Sequence, residues 1–436
     1  MPRRCLLLLL DGLGDRTYAE LNDRTPLQAA HTPNLDRIAA RGANGLYHAT
    51  LQGQPLPTEN AHFVLFGYDL ADFPGRGILE ALGAGIAVCP GEVAILAHLA
   101  GVESHNGVAV LSADKTAVSE TEAAALIAAI ADFEAEELAL HFHHTGGTFG
   151  VLHLKGDASA LITDSNLMLE GLPLPDIVPL SAAAHDPAAQ RTARMLRQYL
   201  RWSYRRLRDH PVNTQRRSRG AAALTCPVTQ RAGSMGTIRP FARQNGLRGL
   251  SIASGIILRG LCTYIGMDFQ PDTDSGDVTA DYRKRLGQAL ARLPDYDFIH
   301  VHTKAADEAA HRKDPARKRD VIAAIDRAIG THLPALLNDP ELLLVVTADH
   351  STPSSGPLIH AGEPVPIVFC GKGVRRDPIT VYDEVSAAGG SLGTLRGEEF
   401  MYTVLNLLDR AKLRGIMDTP DDQPYFPGRY RPLRLD

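Results

Sequence analysis

The sequence predicts an α/β protein built on a mostly parallel sheet, with a smaller α+β domain inserted into it. Two observations carry that expectation. Short apolar runs recur along the chain without polar alternation, as strands covered on both faces require. Helical patterns separate these runs, and strands that alternate with helices form parallel sheets. In chain order the runs are Leu6–Leu10, Leu250–Ala253, Phe298–Val301, Leu342–Val346 and Val365–Phe369. The helical patterns are Thr32–Arg41, Tyr282–Leu293, Arg317–Leu337 and Gly397–Lys412.

Residues 108–182 have a different texture. Val108–Leu111, Leu138–His143, Gly150–Leu154 and Ala160–Thr163 read as shorter strands, with a helix over Glu120–Phe133 among them. The expected division is therefore a discontinuous core, 1–107 with 183–436, and an inserted domain over 108–182. A long arginine-rich helix over Pro187–Arg208 follows the insert.

Composition narrows the function classes. The chain has 436 residues, 44% hydrophobic and 22% charged, enough for about two ordinary globular domains. Its net charge of −5 gives no basis for nucleic-acid or membrane-surface binding. The arginines of 191–219 fall on the polar side of an amphipathic helix and read as a solvated face. Five cysteines are widely spaced with no CxxC pair, which argues against a disulfide framework and for a reducing cytoplasm. The opening MPRRCLLLLLDG starts like a signal peptide, but the apolar run is short, ends at Asp11 and precedes no small-residue cleavage site. It reads as a buried first strand. No window approaches the ~20 apolar residues of a membrane-spanning helix.

In such sheets ligands bind beyond the carboxyl ends of strands. Asp11 follows the first run in DGLGD, Asp307 and His311 follow another in HTKAADEAAH, and Asp349 and His350 follow a third in VTADHST. His360 precedes a further strand in LIHAGEPVP. Asp307 and His311, four apart, share a face of any helix there. Taken singly, each has an ordinary explanation: a turn residue, a helix cap, a solvated pair. Together they bring carboxylate oxygen and imidazole nitrogen to one sheet edge, a donor set suited to zinc, manganese or a similar divalent ion. Two such ions can clamp the attacking and leaving oxygens of a phosphoryl group. Thr58, in PTENAH, offers a hydroxyl nucleophile; its other reading is a helix N-cap, and a helix N-terminus there would face a bound phosphate. His141 and His143 alternate on one strand face, where surface or inter-domain packing is the expected role.

These segments resemble the alkaline phosphatase superfamily and, within it, the archaeal-type phosphoglycerate mutases that work without a bisphosphoglycerate cofactor. The matching stretches include DGLGDRTYAELNDRTPLQAAHTPNLDRIA, PTENAHFVLFGYD, PGRGILEALGAGI, HTKAADEAAHRKD, TADHSTPSSG and GSLGTLRGEEFM, in family order from about residue 5 to 410. The resemblance implies an alkaline-phosphatase-like three-layer core and an insert that covers the substrate. It implies two divalent metal ions (Mn, Zn, Co or Mg) and a small phosphorylated metabolite as partner. Asp307, His311 and His360 would hold one ion; Asp11, Asp349, His350 and Thr58 the other. Thr58 would be the transiently phosphorylated nucleophile, where the family usually has serine. Arg76 matches in PGRG. Asp114 and Lys115 stand where the family carries an Asp-Arg pair, with Asp114 as a proton shuttle. Arg231 alone remains of an arginine-bearing loop, and Lys304 completes the expected substrate-binding set.

Interconversion of 3-phosphoglycerate and 2-phosphoglycerate is the leading expectation. The threonine and the altered arginines leave room for a phosphohydrolase on another phosphate ester or phosphonate. A catalytically dead relative would have lost a ligand, and every expected ligand is present.

Overall fold

The computed structural model describes residues 2–135 and 138–435. It resolves into two compact units, Met1–Phe73 with Ile238–Asp436, and Pro74–Thr237.

The first unit is organised by the leucine run at the N-terminus. Arg4–Leu10 forms a strand whose residues from Cys5 to Leu10 have no solvent exposure, so both faces are covered. It lies inside an eight-stranded sheet ordered Asp268–Pro271, Gly249–Ala253, Phe298–Thr303, Arg4–Leu10, Leu342–Thr347, Val365–Cys370, Ala43–His48, Gly393–Arg396. Every adjacent pair is parallel except the two made by Val365–Cys370. Leu10 pairs with Thr303, and Leu9 with Thr347. The three central strands therefore end level with one another. Val365–Cys370 runs the opposite way, so its first residues lie at that same edge. Helix Pro315–Asn338 packs against Val278–Arg292 and Pro33–Ala39, while Thr58–Leu65 packs against Ile256–Ile265.

The second unit is an antiparallel sheet ordered Val108–Ala113, Val93–His105, Phe149–Lys155, Leu138–Gly146, Asp132–Ala135, with Cys226–Ser234 also paired to Val93–His105. One face buries Ile95, Ala97, Leu140, Phe142, Leu152 and Leu154 with Leu196 and Tyr199 of helix Pro187–Leu207.

Several sequence expectations need correction. The unit is wider than 108–182, because Val93–His105 is its central strand and Cys226–Ser234 pairs alongside it. The helix expected over Glu120–Phe133 ends at Ala128; Asp132–Ala135 is a strand paired with Leu138–His141, so cross-strand pairing overrides helical propensity. Ala160–Thr163 is not a strand: Ile162 makes only an isolated bridge to Pro179, which has no N–H, and the two bonds around it, Thr163 N–H to the Val178 carbonyl and Leu180 N–H to the Leu161 carbonyl, do not extend into a ladder. The solvated reading fails at Arg216, which is 1% exposed and bonds the carbonyls of Ala117 and Ala222. His141 and His143 do share a face, with His141 Nδ1 2.6 Å from Asp132 Oδ1. No helix among the described residues is long and apolar enough to cross a membrane.

Because Leu8 is buried on an inner strand, Leu8→Ala leaves a cavity that the sheet closes only in part. The expected loss is about 3 kcal/mol, read as a lower midpoint in urea unfolding followed by circular dichroism.

Candidate metal centre

The level strand ends bring the predicted ligands together. Asp11 is the first residue after its strand, Asp349 lies two residues after Leu342–Thr347, and helix Ala305–His311 starts two residues after Phe298–Thr303. Ser351 bridges Leu13 and Gly14 on one side and Ala361 on the other, which draws His360 inward. Gly12, at φ +64°, allows this closeness: a Cβ there would sit 2.6 Å from Thr352 Oγ1 and 2.8 Å from the Asp307 side chain.

Two groups of donors converge, each with ligand atoms within 4.8 Å of one another: Asp11 with Asp349 and His350, and Asp307 with His350 and His360. The His360 Nδ1 donates to the Leu56 carbonyl at 2.7 Å. That bond fixes the tautomer and leaves Nε2 bare toward Asp307 Oδ1, 3.8 Å away. His311 lies beside Asp307, Nε2 to Oδ1 3.3 Å, but is 37% exposed and outside both groups. Thr58 is the first residue of helix Thr58–Leu65; Pro57 holds the N-cap position and no side chain caps the helix. The capping role is therefore excluded, and the Thr58 hydroxyl instead lies 3.1 Å from His350 Nε2.

The charges here do not balance without cations. Burial pushes the Asp11 carboxyl well up, and the nearby charges of Asp349 and Asp307 push it further. Burial acts the same way on Asp349, but His350 and His62 outweigh it and hold that carboxyl well below its usual range. Asp307 is likewise held at about 2 against its burial, chiefly by His311 and His350. Burial and the neighbouring His350 lower His360 to about 4, so its imidazole is a neutral donor. Asp11 Oδ1 and Asp349 Oδ2 are buried with no hydrogen-bond donor. Buried carboxylate oxygens left bare are costly. Divalent ions would satisfy both atoms and relieve the repulsion, and mixed oxygen and nitrogen donors suit them.

Residues 3–407 match the Metalloenzyme superfamily. The chain is 37% identical over 424 residues to a 2,3-bisphosphoglycerate-independent phosphoglycerate mutase of Methanopyrus kandleri, covering 95% of this chain and 99% of that protein. It is 37% identical over 432 residues to the second such enzyme of Methanocaldococcus jannaschii, covering 97% of each. The chain belongs to the 2,3-bisphosphoglycerate-independent phosphoglycerate mutases. Among solved structures it resembles the cofactor-independent phosphoglycerate mutase of Thermoplasma acidophilum, at a TM-score of 0.65 and 32% identity over 93% of this chain and all of that one. A Pyrococcus horikoshii protein matches at a TM-score of 0.78 and 27% identity, over 95% of this chain and all of that one. Divalent-metal binding accords with this family and with the donors assembled.

The remaining residues singled out for a phosphoglycerate mutase are placed as follows. Lys304 holds the N-cap position of helix Ala305–His311 without a side-chain capping bond, and its charge acts to lower the Asp11 pKa. In the second unit Arg76 opens helix Arg76–Gly83, with its guanidinium 3.3 Å from Glu80 Oε1. Asp114 Oδ1 lies 2.6 Å from the Nε2 of buried His98, and Lys115 follows at φ +45°. Arg231 sits at φ +55° where the pairing of Cys226–Ser234 with Val93–His105 slips, a bulge that redirects a side chain.

Sequence reasoning missed the supports behind the ligands. His302 Nε2 donates to Asp11 Oδ2 at 2.9 Å. Thr352 Oγ1 donates to Asp307 Oδ1 at 2.7 Å. His62 Nδ1 donates to the Thr58 carbonyl at 2.8 Å and lies 3.5 Å from Asp349 Oδ2. The alternation in FIHVHT and the four-residue step from Thr58 to His62 were the available signals.

Replacing His360 with alanine removes a bare, oriented nitrogen. The expected outcome is less bound metal per chain by elemental analysis after desalting, with the circular dichroism spectrum retained; unchanged content would remove His360 from the ligand set.

Proposed function

We propose that this chain interconverts 3-phosphoglycerate and 2-phosphoglycerate in the cytoplasm, without a bisphosphoglycerate cofactor, by passing the phosphoryl group through Thr58. The observation that carries the reading is the Thr58 hydroxyl, 3.1 Å from His350 Nε2, at the start of a helix within a set of carboxylate and imidazole donors. Two divalent ions complete the site: Asp307, His311 and His360 would hold one, and Asp11, Asp349, His350 and the Thr58 hydroxyl the other. Bound there, they supply Lewis-acid polarisation of phosphoryl oxygens and a lower pKa for the nucleophile.

The chain's own groups then divide the work. Thr58 Oγ, entering as the alkoxide, attacks phosphorus; the bond from phosphorus to the substrate oxygen breaks as the bond to Oγ forms, and Oγ leaves again as the alkoxide when the phosphoryl group moves on. The freed substrate hydroxyl takes a proton, and the neighbouring hydroxyl gives one up as it recovers the phosphoryl group from phospho-Thr58. Asp114, bonded to His98, is the group we assign to that proton transfer. The first N–H groups of helix Thr58–Leu65 point out of the helix start and suit phosphoryl oxygens. Arg76, Lys115, Arg231 and Lys304 are assigned to the substrate's carboxylate and phosphate charges. The hydrolase reading that Thr58 raised has no separate support, since the relatives matched along nearly the whole chain carry mutase names. The dead-relative reading is disfavoured by the convergence of the donors.

Phosphorus NMR of the metal-loaded chain with 3-phosphoglycerate tests the activity. The reading predicts a 2-phosphoglycerate resonance without inorganic phosphate; accumulating inorganic phosphate would replace it with hydrolysis. Thr58→Ala should lower turnover by at least about a thousandfold, while Thr58→Ser, which keeps the hydroxyl, stays active. A Thr58→Ala enzyme with wild-type turnover would end the nucleophile assignment.

A further inference from the structure

A fully buried ammonium lies behind the ligand loops. Lys318, on helix Pro315–Asn338, has no solvent exposure. Its Nζ donates to the Gly14 carbonyl at 2.9 Å, the Thr352 carbonyl at 2.9 Å and Asp15 Oδ2 at 3.1 Å. An ammonium has three donors, and all three are used. Gly14 and Asp15 continue the loop that begins at Asp11; Thr352 continues the loop that carries Asp349 and His350.

The two loops are otherwise in direct contact. The Thr352 N–H donates to the Gly14 carbonyl at 2.9 Å. A Cβ on Gly14 would stand 2.2 Å from Ser351 Oγ. Thr352 also reaches the third ligand segment, since its hydroxyl donates to Asp307 and lies 3.1 Å from His350 Nδ1. Asp15 extends the tie: it accepts from the backbone N–H and hydroxyl of Ser354, and its own N–H donates to Glu384 Oε1 at 3.2 Å. One side chain thus bonds both ligand-bearing loops from a helix about 300 residues distant from Asp11 in the chain.

We propose that Lys318 is a positioning residue for the metal centre: it fixes the two ligand loops against each other, so that the affinity of both metal positions depends on it. It is neither a ligand nor a group that touches substrate. The proposal rests on the two-metal reading above. It assigns Lys318 a role that its surroundings in PARKRD, a basic helix start, do not announce.

The test is manganese titration calorimetry of metal-stripped full-length protein, with kcat and KM for 3-phosphoglycerate at saturating manganese. Lys318→Met keeps the length and removes the charge. The Asp15→Asn, Lys318→Met double variant avoids a buried carboxylate without its partner, and so keeps the test open if the single variant does not fold. In whichever variant retains the wild-type circular dichroism spectrum, metal affinity should weaken about ten- to a hundredfold. Turnover should fall with KM unchanged. A folded variant with wild-type metal affinity and wild-type kcat overturns the positioning role and leaves the two-metal reading standing. Wild-type protein that takes up no manganese in the same titration overturns that reading, and this proposal with it.

Discussion

Three aspartates, Asp11, Asp307 and Asp349, lie buried at one edge of a single sheet, and the histidines around them favour the charged forms of Asp307 and Asp349 while Asp11 is pushed the other way. Like charges so close cannot all remain ionised in a low-dielectric site unless cations join them. Asp11 shows the strain most plainly: its carboxyl is driven upward by burial and by its two neighbours, and one of its oxygens has no donor. Imidazoles surround the trio, and His360 is held in the tautomer that presents a bare nitrogen. The centre is therefore a cluster of carboxylate and imidazole donors suited to positive ions.

Strand register brings these ligands level. Phe298–Thr303, Arg4–Leu10 and Leu342–Thr347 end together, and the antiparallel Val365–Cys370 starts where they stop. Glycine at position 12 lets the loops touch, and a buried lysine bonds them from behind. Apolar strands supply the rigidity, so the charged groups can be confined to short loops whose backbone is bonded on both sides.

Much of this was legible in the sequence, for reasons that are physical. Strands buried on both faces read as unbroken apolar runs, and LLLLL before Asp11 or LLLVVT before Asp349 needs no alignment to interpret. The ligands were legible because each stands at the end of such a run. What escaped notice depends on partners far along the chain. Ala43–His48 carries Asn44 and Gly45 and does not look like a buried strand; the Asn44 side chain is bonded to Asp377 and the Ala39 carbonyl instead. Val93–His105 was read into the wrong unit because nothing local ties it to Cys226–Ser234. Thr58 reads as a helix cap from its neighbours alone, and only the position of His350, almost 300 residues later, turns its hydroxyl toward the site. Lys318 is indistinguishable from the exposed basic residues beside it until the loops close over it.

The most direct test of this account is anomalous diffraction from crystals of the full-length chain grown with manganese. The account predicts two peaks, one beside Asp11 and Asp349 and one beside Asp307 and His360, with the oxygens that lack donors here turned toward the ions. A map without peaks at these carboxylates, in crystals whose soaking solution holds ample manganese, would contradict it.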